Sequence, residues 1–332
     1  MSYEEKTQKF STFGDKLMQH TDVLCEIQNN KCFRPINIQL SPTEACDSHC
    51  PFCSVANRPM GRIPFDKIAA GLTVFRKLGA KAVEITGGGN PLLYRDGSKN
   101  INDVIELAYS LEYDIGVITN SENLQRHLRS DLCSKIKWIR VSLAKLDEGK
   151  TPEDYLFEGF DINKLALSYI IHKGTTAETI ENIARVVERY PQIKFVRIAP
   201  DCLTEASLTI SEEWGEIIKS LDKYDSFFIK EINDNYLPHN GGCWVGLIRP
   251  YWTSTGIYIC TSHVLSTQNY CDTWKLCEAD QIEETWAKMN DRFKNGLAPY
   301  DIDISKCWHC YYCNNNKILQ SVIKELPDRN FA

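Results

Sequence analysis

Six short apolar runs that alternate with amphipathic stretches, between about residues 35 and 200, constrain the fold of this chain most strongly. Short runs of apolar and β-branched residues bounded by polar segments are typical of strands that are buried on both faces of a parallel sheet. Such strands, alternating with helices, predict an α/β fold whose parallel sheet is either open or curled into a partial barrel. The predicted strands are residues 37–41, 82–86, 115–119, 139–143, 167–171 and 195–199.

Three stretches between these strands have helical periodicity, and they begin near Pro64, Ile101 and Thr176. The first opens with a proline and closes near Gly79, which is a usual way for a helix to begin and end. Upstream of the first strand, residues 13–30 are predicted to form a single helix.

The pattern changes after about residue 235, where aromatic residues, glycine and cysteine dominate. Residues 240–260 predict a hairpin that turns at residues 254–256, and a helical stretch follows at residues 282–293. The predicted parts are a helical extension (1–34), a partial barrel (35–235) and a cysteine-rich domain (236–332).

Composition indicates a globular protein, with 43% hydrophobic and 25% charged residues among 332 and a net charge of −6. No run of Lys and Arg stands out, so nothing in the charge pattern favours nucleic acid or an acidic membrane as a partner. The N-terminal residues lack the apolar segment of a signal peptide, and no stretch reaches the roughly 18 apolar residues of a membrane span. We therefore expect a cytoplasmic protein with no membrane partner.

Fourteen cysteines are present, and outside a secretory context they are expected to be metal ligands or reduced thiols. Cys46, Cys50 and Cys53 form C-x3-C-x2-C directly after the first predicted strand, at the end of the strand where α/β sheets bind ligands. Three thiols leave a four-coordinate zinc site incomplete, and His49 is adjacent to Cys50, where both seldom bind one ion. Thiolates also hold Fe–S clusters, and a [4Fe–4S] cluster on three cysteines leaves one iron free. A zinc site remains the alternative.

This motif, with Phe52 just before its last cysteine, resembles the signature of the radical S-adenosylmethionine (radical SAM) superfamily. The resemblance covers roughly residues 35–235 and implies a partial (β/α)6 TIM-like barrel. In that family the free iron binds the amino and carboxylate groups of SAM, and reductive cleavage yields a 5′-deoxyadenosyl radical that abstracts hydrogen from a substrate. The implied electron donor is a flavodoxin, a ferredoxin or a reductase.

Residues 86–93, TGGGNPLL, resemble the GGEP loop of the same family, whose glycines approach the methionyl group of SAM. Asn90 stands where the family usually has Glu. Its amide oxygen can accept a hydrogen bond but carries no charge, so we expect a weaker contact with the SAM ammonium group. Ala144 stands where Asp is frequent. The resemblance assigns to SAM the residues Phe52 (beside the adenine), Gly87, Gly88, Gly89, Asn90, Asn120, Ser142, Arg197 and Ile198.

A second set of cysteines lies near the C-terminus: Cys243 and Cys260 bracket the predicted hairpin, and Cys307, Cys310 and Cys313 form C-x2-C-x2-C. A CxxC pair with two remote thiols can hold zinc or an Fe–S cluster. The set resembles the SPASM or Twitch extension of radical SAM enzymes. This implies one auxiliary [4Fe–4S] cluster on Cys243, Cys260, Cys307 and Cys310, with Cys313 as a possible ligand. A structural zinc and two auxiliary clusters are the alternatives.

We thus predict a radical SAM enzyme that acts on a small polar molecule such as a sugar, an aminocyclitol or a nucleoside derivative. Net dehydrogenation and redox-neutral epimerisation or isomerisation fit the sequence equally. The segment before the first strand is short for a peptide-recognition domain, but peptide modification remains an alternative, as does a non-catalytic, zinc-stabilised binding protein. Candidate bases are His172, Asp201, His263 and Arg197, and the sequence does not choose between them.

Overall fold

The computed structural model describes residues 14–193, 195–201, 227–229, 243–261, 274–300 and 312–324 of the chain. Within these ranges the predicted α/β fold is confirmed, because a parallel sheet forms with helices between several of its strands. None of the helices in the described ranges combines the length and the apolar character that crossing a membrane requires.

All six predicted strands are present, and a small additional hairpin follows the second of them. Neighbouring strands of the main series are parallel, and their spatial order is their order along the chain, as in the wall of a barrel. The main series is β1 (Asn37–Leu40), β2 (Ala82–Ile85), β5 (Asp114–Thr119), β6 (Ile136–Ser142), β7 (Leu165–Ile171) and β8 (Val196–Pro200), and the small hairpin is β3 (Arg95–Asp96) with β4 (Lys99–Asn100).

The sheet extends beyond this series at both ends. One further parallel strand, β9 (Phe227–Ile229), joins β8, and the sequence pattern did not predict it. At the other end β10 (Tyr251–Thr253) runs parallel to β1 and turns back into β11 (Gly256–Tyr258), which confirms the predicted hairpin. The last strand, β12 (Lys275–Cys277), lies outside β11. In the described part of the chain, residues on both sides of the predicted boundary at 235 therefore share one sheet.

The predicted single helix at residues 13–30 is wrong, because two helices form there. The backbone N–H groups of Gln19 and His20 donate to Lys16 and Leu17, three residues back, which tightens and ends the first helix. Helices lie at α1 (Gly14–Met18), α2 (Thr21–Asn30), α3 (Phe65–Leu78), α4 (Ile101–Ser110), α5 (Ala177–Arg189), α6 (Val245–Ile248), α7 (Ile282–Lys294) and α8 (Cys313–Ile323).

The predicted ends of the barrel helices are confirmed in detail. Helix α3 begins directly after Pro64 and ends at Gly79, whose φ of 111° lies in the left-handed region that favours glycine. Helix α5 is capped by Thr176, whose hydroxyl accepts a hydrogen bond from the N–H of Thr179 at 3.2 Å. The connections from β5 to β6 and from β6 to β7 contain only short 3-10 turns within the described residues. The parts of these connections that follow the carboxyl ends of β5 and β6 contribute loops to the mouth of the barrel.

One continuous cluster of buried apolar side chains joins the strands to α3, α4, α5 and α7. Because side chains alternate along a strand, the other face of the sheet carries the intervening residues, which include Gln39, Glu84 and Ser142. The result is an apolar outer layer and a partly polar interior.

Arg249, which precedes β10, connects the C-terminal strands to that polar interior. Its guanidinium donates to both carboxylate oxygens of Glu84 on β2 at 3.2 Å and to the side-chain oxygen of Gln39 on β1 at 3.2 Å. It also donates to the hydroxyl of Tyr312 and stacks on that ring, with 4.8 Å to the ring centre. Arg249 is only 6% exposed, so it forms a buried ion pair with Glu84. Removing either residue would leave the charge of the other unpaired.

Candidate functional site

The three N-terminal cysteines lie on the loop that follows β1, at the carboxyl end of the strand, as predicted. Cys46, Cys50 and Cys53 are all free thiols and partly exposed. The backbone N–H of Cys53 donates to the carbonyl of Cys50 at 3.1 Å. Arg58 closes the loop by donating to the carbonyl of Glu44 at 2.8 Å and by approaching the Cys53 sulfur at 3.8 Å.

The electrostatics of this loop suit a cationic centre. Burial, Glu148 and the other two cysteine thiols together raise the pKa of the Cys50 thiol to about 12, so thiolates here need positive charge beside them. Within the described ranges, no three His, Cys, Asp or Glu side chains are arranged to hold one metal ion. The cysteines of a [4Fe–4S] cluster each bind a different iron and need not converge on one point. The loop therefore fits a cluster better than a mononuclear ion.

The glycines at residues 87–89 pack against the cysteine loop. A Cβ atom at Gly89 would stand 2.0 Å from the Ala45 carbonyl oxygen, and one at Gly87 would stand 2.2 Å from the Gly89 carbonyl oxygen. The N–H of Gly88 donates to the Ser41 hydroxyl at 2.7 Å. The close approach of backbone to backbone is thus one reason for glycine at 87 and 89, and contact of these residues with SAM stays a prediction.

Asn90 is buried, and its amide oxygen accepts two hydrogen bonds from within the protein. The oxygen accepts from the Thr119 hydroxyl at 2.8 Å and from the Leu92 N–H at 3.2 Å. Its amide nitrogen donates to the Asp47 carboxylate at 3.1 Å. Because an amide oxygen has two lone pairs, both are in use. In this structure the Asn90 oxygen is thus paired within the protein, and its contact with SAM stays a prediction.

Asp47, between the first two cysteines of the motif, belongs to a charged network that the sequence pattern did not predict. Lys145, in the turn after β6, donates to Asp47 at 2.7 Å and to Glu122, after β5, at 2.6 Å. Burial opposes ionisation of both carboxyl groups, but the hydrogen bond and charge of Lys145, together with hydrogen bonds from the backbone, outweigh it and lower the pKa of each. Burial also opposes the charge of Lys145, and the two carboxylates reverse this and raise its pKa. The only local sign of this network in the sequence is Lys145, a lysine that lies three residues after a buried strand.

Two other predicted SAM contacts lie at the same mouth. The Asn120 amide nitrogen donates to the Ser48 hydroxyl at 2.7 Å and approaches the Cys46 sulfur at 3.7 Å. The Asn120 oxygen is buried and has no hydrogen-bond partner within the described part of the chain, so it is available to a donor on a ligand. Ser142 ends β6 and accepts from the N–H of Ala144 at 3.4 Å.

The predicted adenosine-side residues divide between the two faces of β8. Arg197 is level with Ser168 on β7, which is itself level with Ser142, so the three form a row across the sheet. Ile198 is fully buried and its side chain belongs to the apolar core, which leaves only its backbone for a ligand.

His172, a predicted candidate base, is part of a closed hydrogen-bond group after β7. Its Nδ1 accepts from the Gly174 N–H at 3.1 Å, which assigns the proton to Nε2, 3.1 Å from the Asp147 carboxylate. The Tyr169 hydroxyl donates to the same carboxylate at 2.9 Å. Both ring nitrogens are thus engaged, and a base role for His172 stays a prediction. The ring packs on Phe52 of the cysteine loop, with ring centres 4.9 Å apart.

The other candidate bases are only partly described. Asp201 lies just beyond β8, where its N–H donates to the carbonyl of Ile171 at 2.8 Å. His263 lies outside the described residues. A catalytic base therefore stays a prediction.

A cavity of about 560 Å³ opens beside the cysteine loop. Its walls are the loop around Cys50, the turn after β6 and the beginning of α5, and its lining is rich in charged and hydroxyl groups. The polar lining residues include Asp147, Glu148, Lys150, His172, Thr176 and Glu178.

The C-terminal cysteines occupy a different kind of environment. Cys243, before α6, and Cys260, after β11, pack in one apolar cluster with Tyr258 and Trp274. The Asn316 amide nitrogen on α8 approaches the Cys243 sulfur at 3.7 Å, and burial raises the pKa of that thiol. Two of the four predicted auxiliary ligands are thus brought together. Cys307, Cys310 and the side chain of Cys313 lie outside the described residues.

Comparison with known families identifies the barrel. The family model described as "Radical SAM superfamily" matches residues 40–199, which run from the end of β1 to β8 and contain the cysteine motif. Residues 40–199 are a radical SAM domain. Members use a [4Fe–4S] cluster and SAM and need an electron donor. Cys46, Cys50 and Cys53 are the residues that would hold the cluster.

Curated relatives of this radical SAM chain include two GTP 3′,8-cyclases. That of Staphylococcus saprophyticus is 30% identical over 154 residues, covering 43% of this chain and 43% of the relative. That of Hydrogenovibrio crunogenus is 24% identical over 196 residues, covering 53% of this chain and 58% of the relative. The chain thus matches about half the length of these relatives.

Solved structures with a similar fold include two enzymes crystallised with peptides. Streptococcus suis SuiB bound to precursor peptide SuiA aligns with a TM-score of 0.55 at 16% identity, covering 90% of this chain and 77% of SuiB. Native anSMEcpe with bound AdoMet and Cp18Cys peptide aligns with a TM-score of 0.51 at 14% identity, covering 87% of this chain and 96% of anSMEcpe. These likenesses show that the fold is shared.

Proposed function

We propose that this chain reductively cleaves SAM and uses the radical to abstract hydrogen from a small polar substrate. The observation that carries the proposal is the polar cavity of about 560 Å³ that reaches Cys50 at the carboxyl ends of the strands. Ligand sites in proteins commonly measure about 300 to 1,000 Å³. The cavity therefore has room for a molecule of the size of a nucleoside or an aminocyclitol.

The cysteine loop is preorganised for its cofactors. When bound, the cluster and SAM supply a 5′-deoxyadenosyl radical. The chain contributes a loop that is fixed by Arg58 on one side and by the Asp47–Lys145 pair on the other. The unpaired Asn120 oxygen beside Cys46 offers an acceptor to the cofactor. Such prior fixation reduces the reorganisation that binding requires.

The lining of the cavity favours a substrate with hydroxyl or amino groups. Asp147, Glu148 and Glu178 supply acceptors, and Lys150 supplies a donor. The curated relatives support this direction, because the substrate in their name, GTP, is a polar nucleotide. Net oxidation and redox-neutral rearrangement are both compatible with this lining.

An auxiliary [4Fe–4S] cluster on Cys243, Cys260, Cys307 and Cys310 is the second part of the proposal. The apolar pocket around Cys243 and Cys260 supports it, since a fully ligated cluster there would be shielded from water. Its role would be to carry away the electron of an oxidised substrate radical. A flavodoxin, a ferredoxin or a reductase would supply the electron for SAM cleavage.

A peptide substrate is the second candidate, because SuiB and anSMEcpe, which share the fold, were crystallised with bound peptides. The two classes can be separated by substrates deuterated at their C–H positions. Transfer of deuterium into 5′-deoxyadenosine from a sugar, an aminocyclitol or a nucleoside supports the small-molecule proposal. Deuterium transfer from peptides alone would overturn the small-molecule proposal in favour of a peptide substrate.

The decisive measurement uses anaerobically reconstituted full-length protein. About eight irons per chain, together with 5′-deoxyadenosine formation from SAM and dithionite, are expected for one SAM-binding and one auxiliary [4Fe–4S] cluster. The C46S and C243S variants should each lose about four irons, and only C46S is expected to abolish SAM cleavage outright. About four irons in the wild-type protein would argue against the auxiliary cluster, and about twelve would indicate two. Zinc without iron, and no SAM cleavage, would overturn the enzyme proposal.

A further inference from the structure

The GGGN loop of this chain lacks the acceptor that its position calls for. Residue 90 carries no charge, and both lone pairs of its amide oxygen are used by Thr119 and Leu92. The amino group of SAM, which binds the iron through its nitrogen lone pair, keeps N–H donors, and these find no free acceptor on this side chain. A donor at a partly buried site requires a hydrogen-bond acceptor.

A carboxylate stands one hydrogen bond away from that position. The Asp47 Oδ1 atom lies 3.1 Å from the Asn90 amide nitrogen. A glutamate at position 90 would end close to this point, because its side chain is one methylene longer than that of asparagine. Asp47 also directly follows Cys46, so it belongs to the loop that holds the cluster.

The charge of Asp47 is only partly compensated. Glu122 has three cations around it: Lys145 at 2.6 Å, Arg126 at 3.4 Å and Lys150 at 3.9 Å. Among the described residues, Asp47 has one ion-pair partner, Lys145 at 2.7 Å, which it shares with Glu122. With two carboxylates on one lysine, Asp47 is the member that retains net negative charge.

Exposure distinguishes the two carboxylates in the same way. The Asp47 side chain is 38% exposed, whereas that of Glu122 is 8% exposed. Oδ1 of Asp47 accepts from Asn90 and Oδ2 accepts from Lys145, and because an ionised carboxylate offers about four acceptor positions, the group has room for a further donor. Asp47 is thus accessible, oriented by two neighbours and able to accept.

We infer that Asp47 provides the anionic acceptor for the N–H donors of the SAM amino group in this chain, in place of the family's glutamate at position 90. Asn90 and Lys145 act as positioning residues that aim its carboxylate. The inference rests on the proposed function, since it presupposes a cluster and SAM at Cys46, Cys50 and Cys53. The carboxylate that contacts SAM would then lie on the cysteine loop, and not on the glycine loop as in the family.

The test is the affinity of the reconstituted holoprotein for SAM, measured by anaerobic calorimetry and by the change that SAM causes in the EPR spectrum of the reduced cluster. Loss of a charge-assisted hydrogen bond predicts a Kd about 10- to 100-fold higher for D47N. The matched control is E122Q, which removes the other carboxylate on Lys145 and should change Kd less than about threefold, because Glu122 faces no ligand.

Two ligand probes separate the amino-group contact from its alternatives. S-adenosylhomocysteine keeps the amino group and lacks the sulfonium charge, so D47N should weaken its binding as much as that of SAM. A SAM analogue without the amino group should bind wild type and D47N equally. A D47N penalty confined to SAM would place Asp47 at the sulfonium and overturn the inference.

A second variant keeps the test informative if D47N disturbs the loop. In D47N/N90E the carboxylate returns to position 90, and SAM affinity should recover to within about threefold of wild type. Iron content identifies the other kind of failure. Wild-type protein that holds no cluster or binds no SAM would overturn the proposed function. Intact SAM affinity in cluster-loaded D47N, or equal losses in D47N and E122Q, would overturn only the assignment of Asp47.

Discussion

The two cysteine-bearing regions of this radical SAM chain are built on one sheet, yet they differ in almost every physical respect. The thiols at 46–53 are partly exposed on a polar loop, which charged and amide side chains hold in place. Cys260 is buried, and Cys243 packs with it among aromatic rings. One region is open and fixed by directional bonds, and the other is closed and held mainly by apolar packing.

This difference corresponds to what each region is proposed to do. A site that admits SAM and a substrate needs access, and it can be preorganised only from the sides, through hydrogen bonds and ion pairs. A site that only passes electrons profits from the exclusion of water and needs no opening. The sheet joins the two, because β10 beside the C-terminal site pairs directly with β1 beside the cluster loop.

The largest effect is expected from replacing Arg249, which links the C-terminal strands to Glu84 and Gln39 of the barrel. We expect R249M to lower the free energy of unfolding by about 3–5 kcal/mol, because it leaves the buried Glu84 carboxylate without its partner. Urea denaturation followed by fluorescence measures this. In the double variant R249M/E84L the loss should be smaller, since no unpaired charge remains.

The matched control is R129M, which removes an arginine whose ion pairs are half exposed. Its urea midpoint should stay close to that of the wild type. An R249M midpoint as close to wild type as that of R129M would mean that the C-terminal strands do not depend on this ion pair.

The next largest effect is expected where the glycine loop meets the cysteine loop. In G89A the new Cβ would overlap the Ala45 carbonyl, so one loop has to shift, at a cost of about 1–3 kcal/mol. Cluster loading should fall at Cys46–Cys53 and remain normal at the C-terminal site. Iron content and the EPR spectra of both clusters measure this directly.

G61A is the control for that substitution, because its Cβ would meet the Ser254 hydroxyl at 2.8 Å, which is a rotatable side chain and not backbone. We expect G61A to load iron normally. Similar losses in both variants would indicate that any added atom near the loop is harmful, and would remove the special role of Gly89.

Local sequence was sufficient to predict the six strands of the barrel wall, because each is an apolar run buried on the sheet. It did not predict β9, whose described part is only three residues long, or the helix break at Gln19–His20, where neither residue is a helix breaker. The pairing of β10 with β1 was also missed. Which edge a hairpin joins depends on contacts across the whole chain and not on its own residues.

The site was predictable to the same degree. The cysteine motif and the glycine loop each have a local signature, and both lie where they were predicted. The Asp47–Lys145 pair joins residues 98 positions apart, and the structural role of His172 depends on the neighbouring Asp147, Tyr169 and Gly174. Contacts between residues far apart in sequence leave no pattern in the local sequence. His172 was therefore a candidate base by residue type alone, whereas in the structure both of its ring nitrogens have hydrogen-bond partners.

The smallest effect is expected at Glu122, which accepts from Lys145 in the charged network beside the cysteine loop. E122Q should lower the free energy of unfolding by about 1 kcal/mol at neutral pH, which is the difference between a hydrogen bond to a charged and to a neutral acceptor. Because the folded protein lowers the pKa of Glu122, the contribution of its charge is complete above its unfolded pKa of about 4.5 and is lost as the pH falls further.

Denaturation of the reduced, cluster-free chain at pH 7 and at about pH 3.5 tests this pH dependence. The gap between wild type and E122Q should be present at neutral pH and shrink in acid. A gap that stays constant, or widens in acid, would contradict ionisation of Glu122 as its source.

The position of β10 also has a consequence for how the chain is made. β1 finds one neighbour in β2, where Gln39 and Glu84 are 45 residues apart, and the other only near Arg249, 210 residues beyond Gln39. During synthesis its second edge, next to the cluster loop, stays open until the ribosome has passed the hairpin. An unpaired edge is a template for other strands, and closing so long a loop is slow. Within the parallel series from β1 to β8, β1 is therefore the last strand to gain its second neighbour, so this edge is where a growing chain depends most on protection by a chaperone.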